Sequence, residues 1–479
     1  MMKYILFSTL AVWFLVIVSC SQQKPSSLAA QPVSESHSVS SPLLDYVNTP
    51  DTTFRYTLRN TIPGDGYTTY ILYMQSQRWL TKNEVKDPLW WHWLTIVVPD
   101  EIKSDIGLLL IGGGTREDKL PQGAGQLITQ LATYTGTITA ELHNVPNQPV
   151  KFVQDHYDPR VEDELIAYGW RKFLEGGARD KDAIWLARLP MTKAAVRAMD
   201  AVSGFAKQNL AREVNRYTVM GASKRGWTTW TTAIADDRVV AIAPVVIDML
   251  NVIPSFQHHW QAYGFWAPAV DNYVDEGIME LQDSPEYARL MEITEPYSYR
   301  AEVDLPKFMI NATGDQFFLP DSWQFYWNDL VGEKHLRYVA NADHSLDGTD
   351  AAQSIAAFYK GVVEGNSRPD FNWSVSGNTL SVTTTARDVP DSIWLWQSEN
   401  RESRDFRMET IGKTWTKKLV NLTDKGEYTF SVKSPEAGWK AFYAELIFPG
   451  DGEIPFKFTT GVVVVPDSLP YSKYVVSDK

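Results

Sequence analysis

The sequence predicts an α/β fold with a doubly wound, mostly parallel sheet, and three observations carry that prediction. Between residues 106 and 364, short apolar runs alternate with segments of helical spacing, the pattern of strands joined by crossover helices. Several of the runs are apolar throughout, as strands buried on both faces are, and stop at glycine or aspartate: IGLLLI before Gly112-Gly113-Gly114, the run 239–247 before Asp248, and KFMIN before Ala312-Thr313-Gly314-Asp315. The stretch 217–230, YTVMGASKRGWTTW, reads as a buried strand, a tight turn holding a serine and a helix.

The elements before and after this core follow in order. FRYTL, TTYILYMQSQRW and HWLTIVVP have period-two or continuous apolar patterns and are separated by Pro63-Gly64-Asp65-Gly66 and Lys86-Asp87-Pro88, so they read as strands and turns. Helices are expected at 126–133, 160–173 and 191–207, with a strand at 137–142 between the first two. From 253 to 300 there is no strand pattern. FQHHWQAYGFW, DNYVDEGIMELQ and EYARLMEI read as helical pieces, either a cap over a site or ordinary core helices. A strand at His335-Leu336-Arg337-Tyr338-Val339, the loop Asn341-Ala342-Asp343-His344 and a helix over 351–364 close the unit. Composition shifts at Asn366-Ser367-Arg368-Pro369, and the remaining chain carries only short strand patterns with Gly, Pro and Asp between them. The expectation is a doubly wound α/β domain over 43–365 and a small β-sandwich over 366–479.

Length and composition set the outer bounds. A chain of 479 residues exceeds one simple core; it is 44% hydrophobic and 22% charged, as globular proteins are. A net charge of −13 argues against a nucleic-acid partner. Residues 1–20 read as an export signal: Lys3, an apolar run from Tyr4 to Val18, then Ser19-Cys20. Ile17-Val18-Ser19-Cys20 resembles a bacterial lipobox, and Cys20 is the only cysteine, which fits lipidation and excludes an intrachain disulfide. Residues 21–42, rich in Ser, Gln and Pro, read as a tether. The expected location is the periplasmic side of a Gram-negative envelope, with Ser21 pointing to the outer membrane.

The turn at 221–226 has the chemistry of a nucleophile elbow. It lifts a serine hydroxyl above the sheet edge in a strained conformation and aims the first N–H groups of the next helix at the same point. Gly221 and Gly226 supply the small residues that strand and helix need there, although the second comes one place later than in G-x-S-x-G. The plainer alternative is a serine that caps a helix. A serine nucleophile needs an imidazole base and a carboxylate to orient it, in the order Ser, acid, His on an α/β-hydrolase sheet. The chain offers Ser223, Asp315 and His344. Of the eight His, only His344 follows a late strand and precedes a terminal helix. Asp248 also ends an apolar strand and stands second as the acid; Asp343, beside the base, stands third. Gly113 and Gly114, with the N–H of Lys224, are the expected oxyanion donors. The Lys224 and Arg225 side chains lie near an anionic substrate or are salt-bridged to structural carboxylates; the sequence leaves both open. Trp90, Trp91, Trp93, Trp260 and Trp266 are candidates for stacking a sugar or aromatic acyl group, though most are expected in the core. No HExxH, CxxC or Walker loop is present, so neither metal nor cofactor is expected.

Taken together, WWHW, LLLIGGG, MGASKRGWTTW, VVIDMLN, NATGDQFFLPDS and NADHSL resemble the PhoPQ-activated pathogenicity-related protein family from about Leu43 to the C-terminus. That resemblance implies an α/β-hydrolase with Ser223 as nucleophile, Asp315 as acid and His344 as base. GASKRG is also similar to the G-C-S-R-x-G elbow of glucuronoyl esterases, with Ala222 for Cys and Lys224 for Arg. The expected activity is serine hydrolysis of an ester or amide in a small molecule or peptide. The alternatives are an aminopeptidase-like enzyme, favoured by a carboxylate-lined cavity, and a non-catalytic secreted binding protein. Oligomeric state and the role of the sandwich are left open.

Overall fold

The computed structural model describes residues 41–423, 425–450 and 454–476. The export signal, Cys20 and nearly all of the tether lie outside the described residues. At the tether's end, Ser41 caps helix α1 (Pro42–Asn48): its Oγ accepts the Leu44 N–H at 3.3 Å, and Leu43 and Val47 are buried.

Three antiparallel strands open the sheet: β1 (Arg55–Pro63), β2 (Tyr67–Arg78) and β3 (Leu89–Pro99). The doubly wound part follows as β4 (Ile106–Ile111), α2 (Gln126–Thr135), β5 (Thr139–Leu142), α3 (Glu162–Glu175), α4 (Arg188–Phe205), β6 (Arg216–Ala222), α5 (Lys224–Ala235) and β7 (Val239–Val245). The helical insertion contributes α6 (Val252–Tyr263), α7 (Asp271–Asp275) and α8 (Pro285–Thr294), before β8 (Lys307–Ala312), β9 (Lys334–Val339) and α9 (Ala351–Glu364). In space the order is β1-β2-β3-β5-β4-β6-β7-β8-β9, and β5 through β9 are parallel. The exchange of β4 and β5, with the serine turn after β6, is the α/β-hydrolase arrangement. Every residue of β8 and five of six in β4 are buried, because helices cover both faces. Residues of α3, α4, α5, α6 and α8 join one core cluster; α2 and α9 join the other, across the sheet.

Two points left by the sequence are met by the structure. Of cap or core helices for 253–300, α8 has the core place: Tyr287, Leu290 and Ile293 are fully buried in the cluster that holds Trp227 and Trp230 of α5. The second concerns the C-terminal sandwich. Its strands are β10 (Phe371–Ser376), β11 (Thr379–Thr384), β12 (Ser392–Asn400), β13 (Thr416–Val420), β14 (Glu427–Ser431), β15 (Trp439–Phe448), β16 (Phe456–Thr459) and β17 (Val463–Val465), with helix α10 (Met408–Ile411) after β12. Here β10, β11 and β14 form a separate three-stranded sheet, but β16, β15, β12 and β13 continue the central sheet outward from β9, and β17 pairs with β15. Two strand layers do pack face to face, with Leu380, Val382 and Phe430 in one cluster with Ile393, Phe442 and Leu446. One of those layers is the hydrolase sheet itself. The described residues from Ser41 onward accordingly form one compact unit, with no division at 366. Turn chemistry at 366–369 marks where a helix ends; strand pairing between distant segments leaves no mark in local composition.

Candidate active site

Ser223 sits between β6 and α5 with φ +56° and ψ −126°, a conformation a non-glycine residue holds only at a cost of about 1–3 kcal/mol. Its own N–H bonds the Val245 carbonyl at 2.8 Å, which ties the turn to β7, and its carbonyl accepts the first helical bond of α5 from Trp227 at 3.0 Å. The N–H groups of Lys224, Arg225 and Gly226 are thereby left without helical acceptors. The half-buried Ser223 hydroxyl makes no hydrogen bond among the described residues. Both glycines are needed for close approach. A Cβ on Gly221 would lie 2.6 Å from the Arg225 carbonyl oxygen, and one on Gly226 would lie 2.8 Å from Ile247. Gly221→Ala is therefore expected to lower stability by about 1–3 kcal/mol through overpacking. It is also expected to slow labelling of Ser223 by a fluorophosphonate by about 10²-fold, since the hydroxyl is displaced; thermal melts and labelling rates check both.

His344 follows β9, and Asp315 follows β8. The His344 Nδ1–H donates to Asp315 Oδ2 at 2.8 Å, the proton being placed by the carboxylate acceptor. Asp315 is 3% exposed, and its other oxygen accepts the N–H groups of Phe317 at 2.8 Å and Phe318 at 3.3 Å. The imidazole packs on Phe317 with ring centroids 4.4 Å apart, and the His344 N–H donates to Gln316 Oε1 at 3.0 Å. His344 Nε2 has no partner among the described residues. The NATGDQFF segment thus holds the imidazole through Asp315 and Phe317 and the His344 backbone through Gln316.

The competing carboxylates have other partners. Asp343 accepts the N–H and hydroxyl of Ser345 and turns away from the imidazole. Asp248 accepts the hydroxyls of Tyr326 at 2.6 Å and Tyr338 at 2.5 Å. Burial raises its pKa to about 7, the charges of Asp315 and Asp321 add to that, and the two tyrosine hydrogen bonds oppose it. The remaining described histidines are placed elsewhere. His92 and His259 are buried, with pKa values lowered to about 4 and about 3 chiefly by desolvation, and His335 bonds Glu333 at 2.9 Å.

The glycine run after β4 lies beside the serine turn. The Gly112 N–H bonds the Leu142 carbonyl at 2.8 Å, whereas those of Gly113 and Gly114 have no acceptor among the described residues. A side chain at Gly113 would meet the Arg225 guanidinium at 3.2 Å, so the strap and the first turn of α5 are in contact. For the two cations, the structural alternative is the observed one. Lys224 is buried, and its ammonium pairs with Glu162 at 2.8 Å and Asp163 at 2.9 Å. Arg225 pairs with Glu162 at 2.5 Å and bonds the Val145 carbonyl at 2.5 Å. Arg225 therefore does not present a free charge to substrate. The Trp260 ring packs on Trp266 and on Tyr474 of the C-terminal tail, at 5.2 and 4.7 Å.

Two groupings escape sequence reasoning. Glu162 joins both halves of the candidate oxyanion site. It binds Lys224 and Arg225, accepts the Gln148 side-chain amide at 2.6 Å, and donates its backbone N–H to Gln148 Oε1 at 2.6 Å; Gln148 in turn donates to the Gly114 carbonyl at 3.0 Å. Burial works to raise the Glu162 pKa, but the hydrogen bonds and charges of Arg225 and Lys224 outweigh it and hold the carboxyl at about 2. The second grouping is Asp321, which accepts Arg404 at 2.6 Å and contacts His258 at 3.1 Å. It lies six positions after Asp315 and is held by a residue well past 366. Nothing in either stretch advertises the contact. Among the described residues, no cluster of three or more His, Cys, Asp or Glu is arranged to hold a metal ion.

Comparison with known proteins gives a family and distant structural likenesses. Autocrine proliferation repressor protein A of Dictyostelium discoideum is 38% identical over 460 residues, covering 90% of this chain and 92% of that protein. The acetyl xylan esterase from Paenibacillus sp. R4 is similar in structure with a TM-score of 0.48 and 14% identity, over 67% of this chain and 92% of the esterase. The acylaminoacyl peptidase of Pyrococcus horikoshii has a TM-score of 0.40 and 12% identity, over 66% and 51%. The family model described as PhoPQ-activated pathogenicity-related protein matches residues 43–407, a span that runs past 366 and includes Arg404. The chain belongs to the PhoPQ-activated pathogenicity-related protein family.

Proposed function

We propose that this protein is a serine hydrolase that cleaves an ester or amide through an acyl-enzyme. The observation that carries the reading is the hydrogen bond from His344 to buried Asp315, which leaves Nε2 free on the same sheet edge as the strained, unbonded Ser223. In this reading Ser223 Oγ attacks the carbonyl while His344 Nε2 takes its proton. Asp315 keeps the Nδ1 tautomer and stabilises the imidazolium. The N–H groups of Gly113, Gly114 and Lys224 receive the developing oxyanion. His344 then protonates the leaving group, and a water activated by the same nitrogen releases the acid.

A peptidase reading is favoured by one observation. A cavity of about 550 Å³ at the start of α3 is lined by Asp158, Glu164, Asp275 and Glu276, groups that would fix a substrate amine. Glu276 is already engaged by Arg160 at 2.7 Å and Arg171 at 2.5 Å, which weakens it. The name of the Dictyostelium relative, a proliferation repressor, favours a third reading, a secreted signal on this fold. A screen of the purified protein from residue 41 onward separates them. Turnover of acyl or uronate esters supports the esterase. Turnover confined to aminoacyl amides with a free α-amine supports the peptidase. No turnover and no reaction with a fluorophosphonate leaves the signalling protein.

The sequence features at 1–20 support export with lipidation at Cys20, on the periplasmic side of the outer membrane. Metabolic palmitate should label the wild type and not Cys20→Ser; label retained by that variant would refute the anchor.

A further inference from the structure

The three rings on the outer part of the sheet belong to none of the machinery above. Tyr73 of β2 stands opposite Trp93 of β3, and Gln75 stands opposite Trp91, so all four lie on one face. Tyr73 and Trp91 are stacked at 5.4 Å with 28° between planes, and Trp93 meets both edge-on at 5.7 Å. All three rings are only half-buried, whereas Trp79, Trp90 and Trp230 are fully enclosed. The same face of β3 is closed by α2 further along, at Val97.

Three polar groups around the rings lack partners among the described residues. The Gln75 side chain is 7% exposed, its amide lies 3.4 Å from the Tyr73 hydroxyl, and its Oε1 has no partner. A buried acceptor left this way costs about 1–3 kcal/mol, which a hydroxyl brought in beside the rings would offset. The Arg59 guanidinium stands 5.4 Å over the Tyr73 ring with no carboxylate partner among the described residues. The Trp91 indole N–H is likewise unbonded among them. Aromatic faces beside an unmet carbonyl and spare N–H donors match one chemistry closely: a pyranose ring, whose C–H face is apolar and whose edge carries hydroxyls. An acyl chain would leave Gln75 and Arg59 without partners.

The patch is joined to the candidate site. The Trp93 indole N–H donates to the Asp118 carbonyl at 3.1 Å, and the Asp118 carboxylate accepts the Thr115 N–H at 2.7 Å and lies against Gly114. We infer that Tyr73, Trp91 and Trp93 form a sugar-stacking subsite continuous with the oxyanion strap, so that the ester cleaved at Ser223 is carried on a carbohydrate. This rests on the esterase reading, but its test does not require turnover. Ser223→Ala protein is titrated with xylohexaose, mannohexaose and a galacturonic acid hexamer, following tryptophan fluorescence and heat. At least one is expected to bind saturably. Adding Trp91→Ala should weaken that binding about tenfold, and Arg59→Ala, at an exposed side chain, about threefold. Trp260→Ala, in the tail cluster, should leave it unchanged. Binding of none of the three, or affinity that survives both Trp91→Ala and Arg59→Ala, overturns the subsite without bearing on the nucleophile.

Discussion

Asp315→Asn lowers kcat by about 10⁴-fold with KM little changed, because an amide facing Nδ1 favours the wrong imidazole tautomer and leaves the imidazolium without its counter-charge. Asp248→Asn, one strand earlier, costs less than about tenfold in kcat, since its carboxyl faces Tyr326 and Tyr338 and not His344. Steady-state kinetics on the substrate found by the screen decides between them, and the reverse ranking would mean that Asp248 orients the base. Asp248 has a distinct signature of its own. Its folded pKa of about 7 lies above the ordinary aspartate value of 3.8. The folded state therefore holds this proton more tightly than the unfolded chain. The stability it contributes is fully present below 3.8 and is lost as pH rises through about 7. Urea unfolding should show wild type losing stability relative to Asp248→Asn between about pH 4 and 7, by at most about 1.4 kcal/mol per pH unit. A flat difference across that window would contradict the protonated state.

Arg404→Met destabilises the whole protein by about 3–5 kcal/mol, the usual result of stranding one member of a buried ion pair. The side chains of Arg404 and Asp321 are 2% and 5% exposed, so solvent does little to compensate. Burial works to raise the Asp321 pKa, and Arg404 and His258 outweigh it and hold the carboxyl ionised. Without the guanidinium, the buried charge must be protonated or the segment must open. Because Arg404 comes from the loop after β12 and Asp321 from the segment after Asp315, the loss should spread across the expected boundary at 366. Denaturation should still show one transition, at lower denaturant. A second, separate transition, or a loss below about 1 kcal/mol, would mean that the C-terminal strands fold as a domain of their own.

The comparison of sequence with structure turns on distance along the chain. The strand–turn–helix at 217–230 and the carboxylate and imidazole after β8 and β9 were legible because each is a local pattern at a predictable place in a parallel sheet. The hydrogen bond between Asp315 and His344 followed from topology, since adjacent parallel strands bring their carboxyl ends together. Glu162 was not legible. It lies on the first turn of a helix 61 positions before Ser223, and only the fold makes it the counter-ion of Lys224 and Arg225. The same applies to β16, whose PFKFTT pattern reads as a strand of any sheet. In the fold it pairs with β9, Thr459 opposite Leu336, and Phe458 stacks on His335 at 4.1 Å, a contact that composition does not report.

The central claim is that Ser223 is a nucleophile activated by His344, and one experiment addresses it directly. Native protein is incubated with a fluorophosphonate and digested, and the peptide spanning 217–230 is examined by mass spectrometry, with Ser223→Ala and His344→Ala in parallel. A stoichiometric phosphonyl adduct is expected on Ser223 in wild type, none in Ser223→Ala, and labelling slowed by about 10³-fold or more in His344→Ala. An unlabelled wild type, or equal labelling of Ser223→Ala, would contradict it.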